Sequence, residues 1–131
     1  SGQDQDTTTT TQVAKETFVQ SASSLQSELT TAVVELLVQL NAFHRTLSSP
    51  LPLENLQQHR EQIEQAIAQA ERIGVDLQAI EQQINGSVDD GFLPQTNSAS
   101  AALSDAKRAL GDVIQLLPRR IAELEKLLSV T

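Results

Sequence analysis

The chain has 131 residues, a formal net charge of −8, no cysteine, no tryptophan, no tyrosine and only three phenylalanines. This length predicts one domain that can bury its own core. An acidic chain repels phosphate backbones, which disfavours nucleic acid as a partner, and no apolar run approaches the ~20 residues of a membrane span. The lack of cysteine favours a reducing compartment and therefore a cytoplasmic location, although larger secreted domains can also lack cysteine.

The first segment, residues 1–12, reads SGQDQDTTTTTQ and contains no apolar side chain to bury. Ordering it would cost backbone entropy without any compensating burial. We therefore expect a disordered leader at 1–12, followed by a single domain over 13–131.

Apolar residues at steps of three and four predict a first helix over 13–47. Its inward face repeats at intervals of seven residues and contains Leu29, Val33, Leu36, Leu40, Phe43 and Leu47. The segment Ser48–Pro52 should end this helix, because proline lacks the N–H that continues the ladder. Pro52 is expected in the first turn of the next helix.

A second helix is predicted over 53–85. The seam of this helix, which is the line of apolar residues that faces the other helices, repeats every seven residues at Leu56, Ile63, Ala70, Leu77 and Ile84. Gly74 lies inside this helix and is expected to allow a close helix approach. Gly86 is expected to end the helix in a left-handed conformation.

The glycines, aspartates and proline of residues 86–96 predict a loop, in which Phe92 and Leu93 should plug one end of the domain. A third helix is predicted over 97–130, with a cap from Thr96, Asn97 or Ser98. Its seam contains Leu103, Leu110, Leu117 and Leu124, widened by Ile114, Ile121 and Leu128. Pro118 should bend or break this helix.

Three helices of similar length, roughly 50 Å each, are joined by two short loops. The fold class expected is therefore all-α: an antiparallel up-down-up three-helix bundle with left-handed coiled-coil packing.

Several segments of the chain are similar to a known module. Leu56–Ile63 matches an apolar-x-x-His pattern through His59, and Leu110–Val113 followed by Leu117, Arg120 and Leu124 matches a closing pattern of large apolar, Leu, Arg and Leu. Leu40–Leu47 followed by two serines resembles the end of the module's first helix. Over about residues 22–128 the chain resembles a spectrin repeat, the module of spectrin, α-actinin, dystrophin, the plakins and the nesprins.

The chain departs from that family in two ways. The family often has tryptophans where Leu40 and Leu110 stand here, and Pro118 is unusual for it. The resemblance implies a tension-bearing spacer or docking segment of a larger cytoplasmic protein, cytoskeletal or associated with the nuclear envelope. Its partners would then be helical proteins or adjacent repeats.

No catalytic, cofactor or metal site is predicted. His44 and His59 lie on different helices without a cysteine to complete a zinc site, so His59 is expected to be a partly buried packing residue. Glu61 with Glu64, and Glu123 with Glu125, lie on polar faces. The triplet Asn85-Gly86-Ser87 fits a glycosylation sequon, but such a triplet arises easily by chance and Gly86 already has an expected capping role, so glycosylation is the disfavoured interpretation.

Arg120 falls on the seam of the third helix. We expect it either to extend its guanidinium into water or to pair with a glutamate of a neighbouring helix.

The best candidate for partner binding is an apolar face of the first helix formed by Val34, Leu37 and Val38. The favoured alternative is that these residues widen the core stripe. If the face is open, it should bind a partner helix or support weak self-association.

The function expected is a non-enzymatic structural spacer and protein-interaction module. Two alternatives remain: a stand-alone helical adaptor subunit of a larger complex, and a small secreted helical carrier of lipid-like ligands. The short seam residues favour close packing over the cavity that the carrier would need.

Overall fold

The computed structural model describes residues 21–130 with their side chains. Its helices are α1 (Gly2–Ser48), α2 (Leu56–Asp89) and α3 (Ser98–Val130). The helices pack against one another, and the described residues form no strand. The expected three-helix bundle is therefore confirmed. The predicted leader at 1–12 and the predicted start of the first helix at 13 lie outside the described residues.

Polar contacts at the two ends of the bundle fix the direction of each helix. Ser98, the first residue of α3, lies 3.0 Å from Thr30 of α1, measured between the hydroxyl oxygens. Arg120, twenty-two positions later on α3, donates to the carbonyl of Leu47 on α1. Lys107 of α3 pairs with Glu81 of α2. Arg120, later on α3, contacts His59, which is earlier on α2. α1 and α3 therefore run parallel, and α2 runs antiparallel to both.

The core follows the seven-residue repeats of the sequence. Val33, Leu40, Ile84 and Val113 are the largest fully buried side chains. The remaining buried apolar residues are Leu29, Leu47, Ile63, Ala66, Ala70, Ile73, Leu77, Leu93, Ala99, Leu103, Ala106, Leu117 and Leu124. α1 packs most extensively on α3 and least on α2.

The end of α2 differs from the expectation. Gly86 is not the cap: the helix continues to Asp89, and Gly91 is the glycine with positive φ, at 75°. The Gly91 N–H donates to the Val88 carbonyl, and the Phe92 N–H donates to the Ser87 carbonyl. These two bonds are the paired reverse bonds of a Schellman motif, which satisfies the last carbonyls of the helix.

The start of α2 also lies later than expected. The helix begins at Leu56 with Asn55 as N-cap, so Pro52 is not in its first turn. The Asn55 N–H instead donates to the Pro52 carbonyl at 2.9 Å, which closes a turn ahead of the helix. The two prolines thus belong wholly to the connection between α1 and α2.

At the start of α3, Asn97 acts as the cap. Its side-chain oxygen accepts the Ser100 N–H at 2.8 Å, and its amide nitrogen donates to the Pro94 carbonyl at 2.8 Å. Leu93 is buried at this end of the core, as expected, and Phe92 is half-buried. One buried amide therefore fixes both the helix start and the preceding loop.

The structure differs from two expectations about helix interiors. α3 passes through Pro118 without interruption, so the helix is not broken there, and a bend at Pro118 stays a prediction. Gly74 is not required by a tight helix approach, since a Cβ added there would lie 3.6 Å from the Leu110 Cδ2, an ordinary contact.

The two glycines near the end of α2 provide a matched pair for a stability test. Gly91→Ala should lower the free energy of unfolding by about 1 kcal/mol, because alanine at positive φ is strained. Gly86→Ala should raise it by about 0.5–1 kcal/mol, since Gly86 is inside the helix and an added Cβ meets nothing within 4 Å. Urea unfolding followed by circular dichroism measures both, and effects of the same sign would contradict this assignment of the cap.

Candidate functional site

The face predicted for partner binding lies on α1. Val34 is 42% exposed and Val38 is 59% exposed, whereas Leu37 is partly buried against the core. The three residues share one side of the helix because they are spaced by three and four positions. The two valines are therefore open to a partner, and Leu37 forms the edge between them and the core. Binding at this face stays a prediction.

A buried polar cluster joins the three helices at the end of the bundle that contains the α1–α2 connection. Arg120 of α3 is only 5% exposed. Its guanidinium donates to the carbonyls of Leu47, at 2.6 Å, and of Ser49. Both carbonyls lie where α1 ends, so they have no helical N–H to accept. A cation is favourable at this negative end of the helix dipole.

The expectation for Arg120 is therefore wrong in both forms. The guanidinium is not in water, and no carboxylate of the described residues lies within ion-pair distance of it. Backbone carbonyls take the place of the expected glutamate.

His59 of α2 completes the cluster and is 3% exposed. Its Nε2 lies 3.4 Å from the Arg120 Nη1, and its Nδ1 lies 3.3 Å from the Gln62 Oε1. Arginine can only donate, so Nε2 acts as the acceptor and the ring proton is on Nδ1, facing Gln62. The expectation that His59 packs in the core is confirmed, and its contact with Arg120 was not foreseen.

A second surface feature is an apolar groove between α2 and α3. The groove has a volume of about 620 Å³ and opens to solvent. We call it the α2–α3 groove; its lining residues are Ile67, Ala70, Glu71, Gly74, Leu110, Ile114, Leu117, Pro118, Ile121, Ala122 and Glu125. Ile114 is 53% exposed. The sequence showed Ile114 and Ile121 as a widened stripe but did not show that α1 leaves this stripe uncovered.

The groove continues toward the middle of the bundle. A smaller hollow shares Gly74, Leu110 and Ile114 with it and ends at Glu81 and Lys107. These two residues form an ion pair with a nitrogen–oxygen distance of 2.5 Å. Among residues 21–48 of α1, none lines either hollow.

The other singled-out residues lie apart from these surfaces. His44 is exposed, with its Nδ1 3.4 Å from the Ser48 hydroxyl. Glu64 pairs with Arg60 on the same helix at 3.6 Å. Asn85 is the last residue of the predicted second helix, and the structure places it and the rest of the sequon within α2.

Over residues 21–130, no three His, Cys, Asp or Glu side chains gather closely enough to hold a metal ion. No helix in the described part of the chain combines the length and the apolarity that a membrane crossing requires. Comparison of the chain with models of known families, with curated proteins and with solved structures found no match.

The buried arginine can be tested against its exposed neighbour. Arg120→Met keeps the apolar stem but leaves the Leu47 and Ser49 carbonyls without their donor, so it should lower the free energy of unfolding by about 1–3 kcal/mol. Arg119→Met removes the same charge from an exposed position and should change it by no more than about 0.5 kcal/mol. Chemical unfolding of both variants measures the difference, and equal stabilities would contradict the structural role of Arg120.

Proposed function

We propose that this chain is a non-enzymatic structural spacer and protein-interaction module, similar to one spectrin repeat of a larger cytoskeletal or nuclear-envelope-linking protein. The observation that carries the proposal is the topology of the bundle. In an up-down-up bundle the chain enters at one end and leaves at the other, so modules of this kind can be joined in series. Each module then adds the length of one helix, roughly 50 Å, to a linear array.

The polar cluster also supports the resemblance. His59 and Arg120 are the two polar residues of the motifs that resemble the family, and they lie 3.4 Å apart in the folded chain. Sequence positions sixty-one residues apart thus meet in one buried contact. A shared structural role would explain why both residues accompany the apolar repeats.

The exposed valines support the interaction part of the proposal. Val34 and Val38 form an apolar strip on the outer surface of α1. In the adaptor alternative, the same strip would join two subunits and the isolated chain would dimerise. The two functions therefore differ in the mass that they predict for the free protein.

Small-angle scattering with in-line mass determination separates them. The spacer proposal predicts a monomeric rod, about 50 Å long over the part of the bundle that α2 and α3 span. Two copies joined in tandem should be longer by about the same amount, because the chain leaves each module at the opposite end. A dimer that Val38→Glu converts to monomers would refute the spacer proposal and favour the adaptor. Val75→Glu, at another exposed valine on α2, is the matched control.

A further inference from the structure

The α2–α3 groove is an apolar surface that the described fold does not fill. α1 packs mainly on α3, and its described residues, 21–48, do not line the groove. Single exposed apolar residues are ordinary on proteins. Here, however, the half-exposed Ile114 stands beside an apolar hollow of about 620 Å³. An apolar surface of this concave kind typically marks a binding site.

The shape of the groove fits a helix. Its two walls are antiparallel helices, so it runs along the bundle and has the form of the space that a fourth helix takes in a four-helix bundle. From Ile67 to Glu81 on α2 the combined hollows extend for about 21 Å, at 1.5 Å per residue. About fourteen residues of a partner helix would cover this length.

The charges at the rim indicate what the partner carries. Glu71 stands on the α2 wall and Glu125 on the α3 wall. Glu81 lies at the far end, where Lys107 neutralises it. The rim therefore carries two carboxylates without a basic partner in the lining, one on each wall. It favours lysine or arginine on the flanks of a partner helix.

The same charges disfavour two other occupants. A second copy of this chain brings its own net charge of −8. A fatty acid brings a carboxylate toward Glu71 and Glu125. Both would meet like charge at the rim.

Pro118 adds a hydrogen-bonding feature to the groove wall. Proline has no N–H, so the carbonyl of Ile114, four residues earlier, has no donor at the usual helical position. Ile114 and Pro118 both line the groove. A basic or hydroxyl side chain on a partner helix supplies the donor that such a carbonyl accepts.

We propose that the α2–α3 groove binds an amphipathic helix of a partner protein, with the apolar stripe of that helix on Ile114 and Ile121 and basic residues facing Glu71 and Glu125. The proposal rests on the interaction role proposed above and gives that role a site and a partner chemistry. It does not depend on the spacer role, because binding is measured on the single module whatever its length in an array.

The test uses labelled peptides of about 18 residues on the intact chain. All carry leucines spaced to form one apolar stripe on a helix. The positions on either side of that stripe are lysine in some peptides of the set and glutamate in others. A scrambled peptide of the same composition lacks the stripe. Fluorescence anisotropy should show saturable binding of the lysine-flanked peptides, about tenfold or more tighter than that of the glutamate-flanked ones, and weaker in high salt.

Two variants with matched charge locate the site. Ile114→Glu and Val75→Glu each place a carboxylate at an exposed β-branched residue, and only Ile114 lines the groove. An added carboxylate would by charge alone strengthen the binding of a lysine-flanked peptide. Ile114→Glu should nevertheless abolish binding, because it removes the apolar contact, and Val75→Glu should leave binding intact. The double variant Glu71→Lys/Glu125→Lys should reverse the charge preference, and it keeps the test decisive if Ile114→Glu fails to fold.

Several outcomes would overturn the proposal. The first is that no peptide of the set binds saturably. The second is that the scrambled peptide binds equally well. The third is that the preference for lysine-flanked peptides persists in the variant Glu71→Lys/Glu125→Lys. A dimer lost on Ile114→Glu would assign the groove to a second copy, and palmitate that displaces the peptide and binds more tightly would assign it to a lipid. A monomeric rod without peptide binding would refute the groove alone and leave the spacer proposal standing.

Discussion

The buried guanidinium of Arg120 sets the axial positions of the three helices. It belongs to α3, donates hydrogen bonds to two carbonyls at the end of α1, and contacts His59 on α2. An apolar seam that repeats every seven residues packs nearly as well after a shift of one repeat. A planar guanidinium does not, because its donors match only acceptors at one place. A slip of a single helical turn, about 5.4 Å, would leave a charge buried without partners. The polar cluster therefore selects one register among those that the hydrophobic repeats allow.

The opposite end of the bundle is defined in a different way. There, Asn97 holds the start of α3 and the Pro94 carbonyl together, and Gly91 reverses the chain after α2. Leu93 fills the core between these two points. Because no charged side chain among residues 21–130 is buried at this end, its geometry depends on backbone conformation and on one amide. The two ends thus use different chemistry to fix loops of similar length.

The sequence predicted the seams well, because the spacing of apolar residues reports directly on helical geometry. The partners of Arg120 could not be predicted, since they are backbone carbonyls and carry no residue-type signal. The sequence also carries no signal that separates Gly91, the actual cap, from Gly86, the glycine expected to be the cap. Either glycine can take positive φ, and burial of Leu93 at the bundle end goes with the later one. The groove escaped prediction because seven-residue periodicity shows which residues are apolar but not which flank of a helix pair the third helix covers.

α3 carries two apolar stripes with separate roles. One contains Ala106 and Val113, which are fully buried in the core, and the other contains Ile114 and Ile121, which line the groove. Ile121 also packs against the core, whereas Ile114 is half-exposed. Substitutions at Ile114 therefore alter the groove with little change in core packing. If the groove binds a helix as proposed, variation at this one position would change recognition while the bundle stays equally stable.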